Sequence, residues 1–148
     1  MTKIILGADH GGYKLKEVVK QFLKKNGYAF EDLGAAAYDK DDDYVDYAEK
    51  VARKVVKEHV LGILVCRSAA GMVMAANKIK GVRAAAAFDK KSAMHSRQHN
   101  DANILALSGD WLPTKKAIDI LKAWLSAAFS NEGRHKRRVE KIKRLEYD

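Results

Sequence analysis

The sequence predicts an α/β protein with three α/β/α layers, Rossmann-like, built on a five-stranded parallel sheet and ending in a basic helix. Three observations predict it. Apolar runs and segments of helical period alternate five times along the 148 residues. The runs are continuously apolar rather than alternating, as in strands covered on both faces. The chain has one proline and no repeat, low-complexity stretch or interdomain linker. Residues 1–148 therefore read as a single domain, long enough to bury about two-thirds of its surface on folding.

The elements follow in order. Residues 3–8 (Lys-Ile-Ile-Leu-Gly-Ala) form a short apolar strand that ends at Asp9-His-Gly-Gly12. Residues 13–25 carry Leu15, Val18, Val19, Phe22 and Leu23 at helical spacing, and Asn26-Gly27 closes that helix. Residues 28–33 are a weaker strand. After an acidic loop, residues 44–58 place Ala48, Val51, Val55 and Val56 on one helical face. Residues 62–66 are the third strand, 72–79 a helix, 82–88 the fourth strand and 89–98 a helix. Residues 103–107 are the fifth strand and 114–129 a strongly amphipathic helix. Beyond Asn131-Glu-Gly133, a last helix carries the basic cluster.

In parallel α/β sheets, ligands sit beyond the carboxyl ends of the strands, at the point where the winding reverses. A spatial order beginning 2-1-3 puts that point between strands one and three. The Asp9–Gly12 loop then meets the Cys66–Gly71 loop.

Composition sets limits on partners. No apolar stretch approaches the roughly 20 residues needed to span a membrane, and Met1-Thr-Lys runs straight into a strand rather than a signal peptide. The lone cysteine has no disulfide partner within the chain. Cytoplasmic location is the expectation. The net charge is +9, much of it in Arg134-His-Lys-Arg-Arg138 with Lys141, Lys143 and Arg144, against an acidic run at Asp39-Lys-Asp-Asp-Asp43. The tail reads as a solvated helix or as an anion grip. No aromatic residues interleave it as in nucleic-acid stacking platforms, so small phosphate fits it better than a polymer.

Several positions could carry chemistry. Cys66 ends a buried strand and faces a helix N-terminus, where backbone dipoles favour thiolate; it is either a base or an inert small core residue. Asp9 is a reactive carboxylate or a cap for the next helix, and Gly11 and Gly12 allow close backbone approach or positive φ. The chain has no dinucleotide fingerprint or Walker pattern. His99-Asn100-Asp101 is a polar surface turn or a group of ligand and acid–base residues, placed by this reading on the same sheet edge as Cys66. His95 lies four residues before His99, yet no carboxylate or cysteine at supporting spacing completes a metal set. Arg134 and Arg138 share a helix face and suit a bidentate phosphate grip.

Together these pieces resemble the ribose-5-phosphate isomerase B family, which includes the galactose-6-phosphate isomerase subunits. The matching segments are Gly7-Ala-Asp-His-Gly-Gly-Tyr-Lys-Leu-Lys16, Asp43-Tyr-Val-Asp-Tyr-Ala48, Gly62-Ile-Leu-Val-Cys66, Ala75-Ala-Asn-Lys78, Ser96-Arg-Gln-His-Asn-Asp-Ala-Asn103 and Gly133-Arg-His-Lys-Arg-Arg138. They run in family order over nearly the whole chain. The resemblance implies aldose–ketose isomerisation of a sugar phosphate through an enediolate, without metal or organic cofactor. It implies Cys66 as the base between C1 and C2, with Ser68 and the backbone N–H groups of residues 67–71 (Arg67, Ser68, Ala69, Ala70 and Gly71) around the oxyanion. His99 and Asp9 would open the furanose ring, Asn100 would hold the sugar, and His10, Arg134 and Arg138 would take the phosphate. Members of the family are homodimers with sites completed across the interface, so His99 or the arginines would serve the partner's pocket.

Ribose 5-phosphate is the expected substrate. The alternatives are a six-carbon phosphate (allose or galactose 6-phosphate) and a non-catalytic sugar-phosphate binder. Two departures from the family pattern stand out. The loop that usually reads Cys-Gly-Thr/Ser-Gly-x-Gly is here Cys66-Arg-Ser-Ala-Ala-Gly71, so Arg67 and Ala69 replace glycines. The Leu-Gly-x-Arg that usually follows strand five is here Leu107-Ser-Gly-Asp110-Trp111. Arg67 either takes over part of the anion binding or points to solvent. Val45, in place of a usual proline, changes loop stiffness only.

Overall fold

The computed structural model describes residues 1–147. Five parallel strands form one sheet: β1 (Ile4–Ala8), β2 (Phe30–Asp32), β3 (Leu61–Cys66), β4 (Ala84–Ala86) and β5 (Ile104–Ser108), in the order β2-β1-β3-β5-β4. The helices are α1 (Tyr13–Lys25), α2 (Tyr44–Glu58), α3 (Ala70–Ala76), α4 (Lys90–Gln98), α5 (Thr114–Ser126) and α6 (Gly133–Arg144). Among the described residues no helix is long and apolar enough to cross a membrane.

Continuously apolar strands are buried on both faces, and here they are. Ile4, Leu6, Ile63, Val65, Leu105 and Leu107 point into a core shared with α1, α4 and α5, where Trp124 is fully buried. Ile5, Leu64, Ile104 and Ala106 point the other way, against Val51 and Val55 of α2 and Met72 and Ala76 of α3. The expected order 2-1-3 is present, so the winding reverses between β1 and β3.

Several boundaries differ from expectation, each for a local reason. Helix α3 starts at Ala70 and ends at Ala76, because Asn77 leaves the helix to bond β4: its side chain donates to Ala84 O (3.0 Å) and accepts from Ala84 N (2.8 Å). Helix α5 stops at Ser126 instead of reaching Phe129, since Ala127 is extended (φ −84°, ψ 150°). Asp89 is the cap of α4 rather than its first residue, and accepts from Ser92 N at 2.7 Å.

The β2 margin of the sheet is held by charge. Lys16, fully buried, donates to both Asp32 oxygens (2.9 Å each) and to Ala35 O, while Lys20 reaches Asp32 Oδ2 at 2.9 Å. Next along the strand, Glu31 meets Lys3 (2.7 Å) and Lys54 (3.1 Å). A buried ammonium is tolerable only with such partners. The strand reads weakly in the sequence because its two margin-side groups are carboxylates rather than apolar residues.

Candidate active site

At the carboxyl edge, β1, β3 and β5 release loops that lock into one another. A Cβ on Gly12 would lie 2.1 Å from Val65 O, one on Gly11 2.2 Å from Arg67 Cγ, and one on Gly109 2.4 Å from Gly11 O. Close approach, rather than positive φ, is what these glycines supply. Gly109 N donates to Cys66 O (2.7 Å), and Asp110 N donates to Arg67 O (3.2 Å). The loops predicted to meet do meet.

Asp9 is buried, and its Oδ1 accepts from Gly12 N at 3.1 Å, capping the 3-10 turn His10–Gly12. Capping does not exclude chemistry, because the same carboxylate lies in the field of Cys66. Burial raises the Asp9 pKa; the Gly12 N–H opposes this, and the charge of Asp42 adds to it.

Cys66 Sγ accepts from Ala69 N at 3.1 Å, and the N–H groups of Met72 and Ser68 also act on it. These amides form a concave nest at the start of α3. The expectation that this address favours thiolate is corrected. Burial is the largest influence and raises the Cys66 pKa, the Asp9 charge adds to it, and the amides oppose without prevailing. Only 4% of the residue is exposed. Cys66 therefore rests as a thiol at neutral pH, and its alkylation by iodoacetamide should be slower than that of free cysteine and climb with pH beyond 9.0, the unperturbed value. A rate that levels off at or below pH 8 would contradict this.

The loop behind Cys66 keeps the shape that glycines would give it at a steric cost. Ala69 sits at φ 71°, ψ −22°, a conformation that costs a non-glycine residue about 1–3 kcal/mol. Its side chain is buried beside Met72, and its N–H is engaged by the sulfur. Ser68 Oγ accepts from Ala70 N (3.3 Å). Gly71 packs under Tyr44, whose ring would stand 2.6 Å from a Cβ there. Arg67 is exposed, its stem over Gly11 and its Nε 3.9 Å from Asp110 Oδ2. The arginine gained at 67 thus faces the residue that stands in the altered loop after β5.

His10 is gripped by a residue that the sequence reading passed over. Asp42 Oδ1 accepts from His10 N (3.1 Å) and meets His10 Nδ1 (2.7 Å), while Tyr38 stands edge-on to the imidazole at 6.0 Å. Asp42 lies in the acidic run, which registered only as a block of charge. Asp9, His10 and Asp42 offer ligand-type atoms within 4.8 Å of one another, but Asp42 Oδ1 is occupied by His10 and Asp9 Oδ1 by Gly12. The trio is a hydrogen-bonded acid–imidazole cluster.

His99, Asn100, Arg134 and Arg138 are elsewhere, which corrects the expectation that residues 99–101 share an edge with Cys66. In a parallel sheet, the segment after a helix enters the next strand at its amino end. Asn103 O accordingly accepts from Gly62 N, at the start of β3. His99 stacks between His95 (centroids 4.0 Å) and the buried His135 (4.1 Å). His135 Nδ1 meets Ser130 Oγ at 2.5 Å. Desolvation lowers the His99 pKa, and His95, His135 and Arg134 lower it further against the charge of Glu132. Asn100 lines a cavity of about 570 Å³ with Asn77, Arg83, Ala84, Ile142 and Leu145. Arg134 and Arg138 are exposed on α6, and Arg134 pairs with Glu132 at 3.0 Å. Within one chain, then, the Cys66 cluster and the histidine–arginine group are separate, on opposite edges of the sheet.

Residues 4–142 match the Ribose/Galactose Isomerase family model. The chain belongs to that family. It is 43% identical to the probable ribose-5-phosphate isomerase B of Mycoplasma genitalium, over 97% of this chain and 95% of that one. Its fold superposes with a TM-score of 0.94 on the ribose-5-phosphate isomerase B of Mycoplasma genitalium with bound ribulose 5-phosphate (42% identity, 99% and 97% of the chains). The Clostridium thermocellum ribose-5-phosphate isomerase B gives a TM-score of 0.95 (44% identity, 98% and 97%). In this isomerase-family chain Cys66, with the Asp9 carboxylate and the amide nest, lies at the winding reversal of the shared fold.

Proposed function

We propose that the chain, working as one domain over residues 1–148, interconverts ribose 5-phosphate and ribulose 5-phosphate. The observation that carries this reading is the Cys66 sulfur beneath the amide nest and beside Asp9, in a family relative of a protein that holds ribulose 5-phosphate. The chain acts as a cytoplasmic homodimer. Two identical chains bring each half-site to the other, so the partner's His99, Asn100, Arg134 and Arg138 complete the pocket at Cys66.

The chemistry follows from the groups present. Asp9 and the partner's His99 open the furanose: one takes the proton of the C1 hydroxyl while the other protonates the ring oxygen. The lowered pKa of His99 and the raised pKa of Asp9 bring the two toward each other, as suits proton exchange between them. Cys66, resting as a thiol, first gives its proton to water; the thiolate then removes the C2 proton, and the electron pair moves onto the carbonyl oxygen to give the enediolate. The N–H groups of the 67–71 loop and the Ser68 hydroxyl stabilise that charge. The oxygens exchange a proton, and Cys66 returns its proton to C1. His10, Arg134 and Arg138 hold the phosphate, and Asn100 the sugar hydroxyls. Each step is a proton transfer, so the residues need no cofactor.

The test is an isomerase assay with ribose 5-phosphate, allose 6-phosphate and galactose 6-phosphate side by side. The highest kcat/KM is expected for ribose 5-phosphate. A higher value for a six-carbon substrate overturns the pentose assignment, and binding without turnover of any of them overturns the enzyme assignment.

Arg67 serves the anion in this reading. Its guanidinium is exposed, one residue from Cys66, with a 3.9 Å contact to Asp110, so it is free to turn to a phosphate. Arg67→Ala is expected to raise KM for ribose 5-phosphate about tenfold, the loss of one charge-assisted contact, with little change in kcat. An unchanged KM would show that Arg67 serves only solvent.

A further inference from the structure

We propose that Asp42 is a positioning residue of this pocket, a carboxylate brought in by the acidic loop that fixes the imidazole of His10 and faces Asp9. The inference rests on the isomerase reading for its consequence, but its geometry stands independently. A single oxygen, Asp42 Oδ1, bonds both the main-chain N–H (3.1 Å) and the ring Nδ1 (2.7 Å) of His10. A carboxylate oxygen accepts and does not donate, so Nδ1 carries the proton in that bond. Nε2, on the opposite side of the ring, is then the nitrogen turned away from Asp42, and it donates to a phosphate oxygen when it carries a proton as well. The same two bonds fix residue 10 at backbone and side chain together, and with it the turn that carries Asp9.

The Asp42 side chain is 6% exposed, and its second oxygen, Oδ2, is buried with no hydrogen-bond partner. An unsatisfied buried carboxylate oxygen is costly and calls for an explanation. The positioning role supplies one. With His10 as its one close partner and the Tyr47 phenol nearby, this carboxylate acts on the imidazole and on the neighbouring Asp9. The titratable groups around it are Asp9 and His10 on the first loop, Tyr38 beside His10, and Tyr47 on α2, on which Asp39 and Asp46 also act. The phenol of Tyr47 is raised by burial first and then by the Asp42 charge.

Two variants separate geometry from charge. Asp42→Asn keeps an oxygen able to accept both N–H groups but removes the charge, whereas Asp42→Ala removes both. Imidazole 15N NMR of the full chain is expected to show the Nδ1–H form of His10 in wild type and Asp42→Asn, and its loss in Asp42→Ala. In kinetics, Asp42→Ala is expected to raise KM for ribose 5-phosphate about tenfold with kcat within about threefold, the size of one charge-assisted hydrogen bond acting on binding. Asp42→Asn should leave KM near wild type and move the acidic limb of the kcat/KM profile to lower pH, because Asp9 loses a neighbouring negative charge. An unaltered His10 tautomer in Asp42→Ala, or an unmoved acidic limb in Asp42→Asn, overturns the proposal. If wild type turns over no ribose 5-phosphate, the isomerase reading fails, and the imidazole spectrum alone decides the role of Asp42.

Discussion

Cys66→Ala is expected to lower kcat for ribose 5-phosphate by about 10³-fold, within the range for losing a positioned proton-transfer group, while leaving the fold intact. The sulfur is the only atom in the amide nest able to take a carbon-bound proton. Asp9, the nearest alternative, is engaged by Gly12 and pushed toward its protonated form by burial. Removing one buried sulfur beside Ala69 and Met72 costs about 1 kcal/mol of packing, too little to unfold the chain. His99→Ala should be similarly inactive although it lies at the opposite edge of its own sheet. The decisive result comes from mixing the two inactive variants and letting subunits exchange. Half of the dimers are then mixed, and in each of these one pocket has both an intact Cys66 and an intact partner His99, so about a quarter of wild-type activity returns. Recovery of none, with exchange verified by mass spectrometry, would show that the two halves do not complete each other.

Gly12→Ala is the substitution expected to cost most in stability, about 3 kcal/mol or more. The new methyl would stand 2.1 Å from Val65 O and 2.3 Å from Val65 C. Those are backbone atoms of the central strand, which has neighbours on both sides and no freedom to yield. Overpacking a side chain typically costs 1–3 kcal/mol, and here the obstacle cannot rotate away. For a chain of this size the loss corresponds to a fall in Tm of roughly 10 °C, read by calorimetry. Gly133→Ala is the matched control, since nothing lies within 4 Å of a Cβ there. A Gly12→Ala variant melting within 2 °C of wild type would show that β1 and β3 separate more easily than the geometry indicates.

Most of the architecture was readable from periodicity, because buried parallel strands and amphipathic helices carry opposite hydrophobic patterns. The meeting of Asp9 with Cys66 also followed, once the winding was taken as 2-1-3. His99 was misplaced for an instructive reason. Its residue types suggested membership of the Cys66 pocket, whereas parallel topology alone puts any segment that follows a helix at the amino edge. Asp42 and Tyr44 were missed because their contacts, with His10 and Gly71, join segments distant in sequence. The thiol was misjudged because dipoles can be read from a strand–loop–helix pattern and desolvation cannot. The left-handed backbone at Ala69 was legible only as a question, since alanine there gives no local sign that the turn retains a glycine-like shape.

The ion pairs along β2 decide where this molecule yields to acid. Burial alone would raise the pKa of Asp32, but Lys20 and Lys16 outweigh it and hold the pKa below its ordinary value; Lys3 and Lys54 do the same for Glu31. Carboxylates with lowered pKa values contribute their full stabilisation above the unfolded carboxylate range and lose it as pH falls through the folded value. Protonating Asp32 would also strand the buried Lys16 without its counter-charge. The central strands have no such dependence, being joined by backbone bonds between apolar side chains. Acid is therefore expected to weaken the β2 seam first: amide hydrogen exchange in β2 should quicken at a higher pH than exchange in β1 and β3, and simultaneous loss of all three would contradict this.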